Sequence, residues 1–159
     1  ELADLLLPYL KAAGRLDDKD YDRLLAFVPG VRDRLTLLSD IVPMTDFLED
    51  HGEPDAAILI PKKMDAKSSL ESLKAVLGLV KDDLAEGRTD DEMQAHMCDL
   101  AQRLGIKNAG VFNPLRAAVT GLQVSPPPFS CIHLLGEEKT YSRIERAIGI
   151  LEREVEKNV

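Results

Sequence analysis

The sequence predicts an all-α fold, a helical domain of two small lobes sharing one core, and three observations carry that expectation. Apolar residues recur in steps of three and four, most clearly at Leu70, Leu73, Leu77, Val80 and Leu84. Helix punctuation falls at helix-length spacing: Gly14, Gly87, Gly105, Gly121 and Gly136 stand where periodic runs end. No segment alternates apolar and polar residues long enough to make a sheet strand. The seam between the lobes is expected at the loop Asp50-His51-Gly52-Glu53-Pro54, giving a first lobe over 1–55 and a second over 56–159.

In chain order, Leu5, Leu6, Leu7 and Leu10 supply the apolar face of a first helix that stops at Gly14. Asp17 and Asp18 offer a cap for a second helix through Phe27, which Pro29-Gly30 breaks or restarts. Residues 31–48 read as helical, with Leu35, Leu38, Ile41, Val42 and Leu48 apolar and Pro43 a kink or boundary. The short apolar run 56–61 stays unassigned. A long helix then carries the Leu70–Leu84 stripe to Gly87. Thr89 with Glu92 three residues on forms a capping box for the next, whose stripe is Met93, Met97, Leu100 and Leu104. Asn113 is expected as an N-cap with Pro114 at the first helical position and Gly121 ending that helix. Ser125 caps again with Pro126 behind it, and Gly136 closes a second short helix. Ile144, Ile148, Leu151 and Val155 mark the final one.

A chain of 159 residues with 45% hydrophobic and 30% charged residues reads as globular rather than disordered. No apolar run approaches bilayer-spanning length, and no signal peptide opens the chain. It starts at Glu1 inside a helical pattern, so it is expected to be a piece of a longer protein. Two cysteines, Cys98 and Cys131, are too few for a disulfide framework and point to a reducing, cytoplasmic setting. The net charge of −8 argues against nucleic acid at first sight. The distribution of charge points the other way: from Leu100 to Gly136 there is no Asp or Glu, while Arg103, Lys107, Arg116 and His133 lie there. A buried, turn-rich stretch with no room for carboxylates accounts for the same pattern equally well.

Arg116 is the sharpest candidate residue. Three positions past Asn113, it is expected in a first helical turn, where free backbone N–H groups and the helix dipole already favour an anion. Its nearest acids in sequence are Asp99 and Glu137, so a partner must come from elsewhere in the fold or from outside. Arg34 has Asp33 and Asp40 close by as ordinary ion-pair partners. His96 with Cys98 and Cys131 with His133 resemble two halves of a metal site. Two-residue spacing inside a helix points the pair to opposed faces, and buried, unligated cysteines are the simpler expectation. No catalytic residue and no metal ligand is assigned.

The order Pro114-Leu115-Arg116, Ala118, Thr120-Gly121, then Ser125-Pro126-Pro127, Leu134-Leu135-Gly136, Glu138, Thr140 and Arg143 resembles the anticodon-binding domain of bacterial-type glutamyl-tRNA synthetases. The resemblance extends over essentially the whole chain and is strongest from Leu104 to Ile148. Upstream, Arg34-Leu35-Thr36-Leu37-Leu38-Ser39-Asp40 followed by Phe47-Leu48 is similar to that family's arginine-bearing stretch ahead of an aromatic pair, with Thr36 one position early. The family's tryptophan in the long middle helix has no counterpart here.

The resemblance implies an all-helical pair of lobes that reads anticodon bases. Arg34, with Arg32 as the fallback register, matches the residue reading the third base, which separates tRNA for Glu from tRNA for Gln. Arg116, Ser125 and Pro128 match positions gripping the first two bases, Pro128 standing where an apolar residue packs on a base. An Arg guanidinium suits both tasks, since it gives two parallel donors and a flat face for stacking. Lys63-Met64-Asp65-Ala66-Lys67-Ser68 is similar to the KMSKS loop of class I synthetases but one residue too long, and a solvated helix start explains it. The run Leu59-Ile60-Pro61-Lys62-Lys63-Met64 also resembles a segment at this place in some anticodon domains of the family. ATP and Mg²⁺ belong to the parent enzyme's catalytic part, and this chain is expected to hold no cofactor. The implied partner is tRNA for Glu, with or without tRNA for Gln, bound by a monomer, with no membrane and no DNA. The rival reading is a helical protein-interaction module whose acidic helices form a docking face.

Overall fold

Nine α-helices and four 3₁₀ turns make up the described part of the chain, and no strand occurs among the described residues. The computed structural model describes residues 2–49, 52–121 and 128–157. The helices are α1 (Leu2–Ala12), α2 (Tyr21–Val31), α3 (Ile41–Met44), α4 (Ala56–Leu59), α5 (Ala66–Ala85), α6 (Asp90–Leu104), α7 (Ala109–Thr120), α8 (Pro128–Leu135) and α9 (Glu137–Lys157). The all-α expectation is met.

Helices set by local chemistry lie where the sequence places them. The α1, α5 and α6 helices each end on a left-handed glycine: Gly14 (φ 74°), Gly87 (φ 67°) and Gly105 (φ 71°). At Gly105 the Ile106 amide reaches back to the carbonyl of Ala101 (3.0 Å) and the Gly105 amide to that of Gln102 (3.1 Å), which serves two carbonyls the helix leaves open. At the other end of α6 the Thr89 hydroxyl accepts from the Glu92 amide while Glu92 accepts from the Thr89 amide. Asp65 and Ser68 repeat that reciprocal arrangement at the start of α5. Leu73, Val76 and Val80 bury the inner face of α5, each contributing about 1.5–3 kcal/mol relative to exposure.

Two stretches depart from expectation. Pro29-Gly30 neither breaks nor restarts a helix: α2 runs through both to Val31. Pro29 removes the donor to the carbonyl of Leu25, a residue on an exposed face, where water is the available replacement. Residues 31–48 are not one helix. They divide into 3₁₀ turns Arg32–Arg34, Leu38–Asp40 and Asp46–Leu48 around the short α3. The Asp40 carboxylate causes the first break by accepting from the amides of Thr36 (3.1 Å) and Leu37 (2.9 Å), which offers the backbone an alternative to the helix.

The long helices α5 and α9 pack along each other, α7 and α6 lie on α5, and α8 wedges between α2, α7 and α9. Buried side chains form one cluster from Ala3 to Leu151, so residues on both sides of position 55 share a core. Phe27 of α2 and Phe47 meet there with ring centroids 5.9 Å apart. Arg143 of α9 is also buried in this region. Its Nη1 donates to the carbonyls of Phe47 and Val119, both at 2.6 Å. Sequence reading assigns Arg143 no role of its own, although its place on the buried stripe with Ala147 and Ile148 is the signal for an internal partner.

Candidate nucleic-acid interface

Arg116 does not stand in a first helical turn. The α7 helix opens at Ala109, with the amides of Val111 and Phe112 both bonded to the Asn108 carbonyl at 2.9 Å. Arg116 is therefore two turns into the helix, away from the N-terminal amides, and the expected anion site on the dipole does not exist there. Asn113 is not an N-cap, and Pro114 sits inside the helix. Interior proline is tolerated because the carbonyl it orphans, that of Gly110, accepts instead from the Ser72 hydroxyl of α5 at 2.8 Å in a buried setting. The end of α7 is where the sequence places it: Gly121 is left-handed (φ 72°), and the Thr120 hydroxyl donates to the Arg116 carbonyl at 2.7 Å.

What the interior position gives Arg116 is a wall. Arg116, Asn113, Ala109 and Ala117 of α7 face Ala57, Ile58, Ile60, Pro61 and Lys62 across a concavity of about 440 Å³. That volume is within the range of small-ligand pockets. Among the described residues the lining is apolar on one side, carries two cations, and contains no carboxylate. Arg116 is half-buried, and its Nε is buried with no hydrogen-bond partner among the described residues. That Nε is closed to solvent, so what Arg116 offers to the concavity is the positive charge of its guanidinium rather than this donor.

The other expected site residues are placed as follows. Arg34 ends the turn Arg32–Arg34, is exposed, and is not among the residues lining this concavity. Arg32 beside it has Asp33 at 4.0 Å, whereas Asp40 is occupied by backbone amides. Pro128 is buried as the first residue of α8, a position where its missing N–H is not needed. Ser125 lies outside the described residues, as does its expected cap. Sequence alone does not single out Lys62 and Asn113 as binding residues. Their shared pocket joins segments some fifty positions apart, and no short-range pattern encodes that.

The histidine–cysteine pairs do not converge. His96 Nδ1 lies 2.9 Å from Asp83 Oδ1, tying α6 to α5, and His133 Nε2 lies 2.5 Å from Asp90 Oδ1, tying α8 to the start of α6. Cys131 is buried, Cys98 is half-buried, and neither is in a disulfide. No group of three or more metal-ligating side chains occurs among the described residues. Within them no helix is long and apolar enough to cross a membrane.

Comparison with known proteins agrees with this architecture. The family described as "Anticodon binding domain" matches residues 1–148. Curated relatives include a glutamate–tRNA ligase of Roseiflexus castenholzii, 35% identical over 160 residues, covering 95% of this chain and 30% of the relative. Another, from Kineococcus radiotolerans, is 38% identical over 152 residues, covering 89% of the chain and 29% of the relative. The chain thus spans about 30% of the length of the curated relatives it matches. A crystal structure of a glutamate tRNA ligase from Elizabethkingia meningosepticum shares the fold with a TM-score of 0.59 at 21% identity, over 95% of this chain and 30% of that one. With nearly its full length matched and the same helical architecture in a solved relative, the chain belongs to the anticodon-binding domain family.

Proposed function

We propose that the chain is the C-terminal, anticodon-reading part of a cytoplasmic, monomeric glutamate–tRNA ligase, an enzyme that attaches glutamate to tRNA with ATP and Mg²⁺. The partner is tRNA for Glu, and the division into lobes 1–55 and 56–159 follows its two base-reading regions. ATP and Mg²⁺ are assigned to the remainder of the parent, and no step of the chemistry is placed on this chain. Arg116 reads one of the first two anticodon bases, with Ser125 and Pro128 completing that half of the pocket, and Arg34 reads the third.

The observation that carries this reading is the half-buried Arg116 cation lining a concavity free of carboxylates among the described residues. A guanidinium so placed donates to the acceptor face of an unstacked pyrimidine, and one bidentate pair of this kind contributes about 1–3 kcal/mol of discrimination. An acidic chain without a basic stripe gains little from non-specific phosphate attraction, so base contacts must dominate its affinity for an anticodon loop.

The test is binding of anticodon stem-loop RNAs of varied loop sequence to the wild type and Arg116→Ala. The variant is expected to lose about five- to a hundredfold on the preferred loop and little on the others, with an unchanged melting temperature. A sharply lowered melting temperature with unchanged RNA affinity makes Arg116 structural and overturns the reading.

A further inference from the structure

The wall opposite Arg116 ends in a turn whose backbone takes an uncommon conformation. The Met64 amide bonds to the Pro61 carbonyl at 3.1 Å, so Lys62 and Lys63 occupy the two central positions. Lys63 has φ 70°, and it is the one non-glycine residue with positive φ among the described residues. That conformation is unfavourable for a side chain with a Cβ, and glycine or asparagine ordinarily takes the place. Strain of this kind persists only where its surroundings impose it, and it concentrates at ligand sites.

Both ends of the turn are fastened. On one side Leu59 is fully buried. On the other, Met64 Sδ lies 2.7 Å from where a Cβ on Gly110 would stand, so the sulfur packs on bare backbone at the start of α7. Asp65 follows at once and enters the cap of α5 with Ser68. What remains exposed between these anchors is Lys62 and Lys63. Lys62 lines the Arg116 concavity, and among the described residues no ion pair or hydrogen bond engages its side chain. In a chain of net charge −8, an ammonium held without a carboxylate beside a second cation marks a place for an outside anion.

We propose that Lys62 is the phosphate contact of the Arg116 concavity, so that the site takes a whole single-stranded nucleotide, base against Arg116 and backbone phosphate against Lys62. This role rests on the reading of the concavity as a base site. Such a site divides the labour in a way that can be measured. A phosphate contact adds affinity regardless of sequence and responds to salt, whereas a base contact sets the preference among sequences.

The experiment titrates anticodon stem-loop RNAs of different loop sequence into the wild type, Lys62→Ala, Lys62→Arg and Arg116→Ala over a range of salt. Lys62→Ala is expected to weaken every loop by the same factor, roughly two- to fivefold at low salt. It should reduce the slope of log affinity against log salt by about 0.7, while Lys62→Arg restores both. Circular dichroism melts check the fold, and Lys62→Gln replaces the alanine variant if the turn is disturbed. An unchanged slope in Lys62→Ala, with Arg116→Ala still altering loop preference, removes the phosphate role and leaves the base site standing. No effect from Arg116→Ala either removes the base site and the phosphate role with it.

Discussion

A Cβ placed on Gly30 would stand 2.3 Å from the Oγ of Ser130 and 3.2 Å from its Cβ, so α2 and α8 meet with the backbone of one against a side chain of the other. Elsewhere in a helix, alanine for glycine stabilises by about 1 kcal/mol. Here the added methyl must displace a side chain that is 3% exposed. Gly30→Ala is therefore expected to destabilise by about 1 kcal/mol net, overpacking outweighing propensity. Urea unfolding measures it, and Ser130→Gly in the same chain should turn the loss into a gain.

Ser72 and Pro114 form a coupled pair through the Gly110 carbonyl. Ser72→Ala leaves that buried acceptor unsatisfied and is expected to be destabilising by about 1–3 kcal/mol. Pro114→Ala restores the helical donor, so in the double variant the serine should matter far less. A double-mutant cycle with additive losses would mean that the Ser72 bond does not replace the missing amide.

The helices legible in the sequence are those governed by neighbours in the chain. The Thr89–Glu92 box, the stripe on α5 and the glycines at 14, 87, 105, 121 and 136 act within one or two turns, and each stands where its chemistry requires. The failures share a different cause. Pro114 reads locally as a helix start, and only the hydroxyl of Ser72, 38 positions before the carbonyl it serves, makes it an interior residue. Asp40 reads as one more helical acid until it turns back on two amides. Arg116 is legible as a candidate through its distance from any acid, yet its setting is not. The concavity depends on residues 57–62 lying across α7, and pairing of that range leaves no periodic trace. Arg143 is visible as part of a motif, but its two carbonyl partners are not.

Acid should loosen the start of α5. The Asp65 carboxyl is held below its ordinary value of 3.8 by the Ser68 amide and hydroxyl. A depressed folded-state value gives stability that is present above the unfolded value and lost as pH falls through the folded one. The loss therefore begins near pH 4 and deepens below it. Asp65→Asn is expected to flatten this acid limb in thermal melts collected across pH, leaving melts near neutrality only slightly lowered because asparagine also caps. An unchanged acid limb would assign the sensitivity to other carboxylates.

In the full-length ligase, Arg34→Gln should relax discrimination at the third anticodon letter, cytosine against guanine, more than it lowers activity on tRNA for Glu. A glutamine both donates and accepts, so it tolerates either base. The ratio of the two specificity constants is expected to move about five- to a hundredfold. Aminoacylation of both tRNAs measures it, with Arg32→Gln alongside. A shift in Arg32→Gln alone moves the assignment by two positions.

The bond from Arg143 to the carbonyls of Phe47 and Val119 has a mechanical meaning. Phe47 stands in the turn Asp46–Leu48, and Val119 lies one turn beyond Arg116 on α7. One guanidinium on α9 thus holds a carbonyl from each side of position 55, so the first part of the chain and α7 are pinned to the same helix by a single buried cation. Loosening that pin at Arg143 would let the two drift against each other without altering any residue of the concavity.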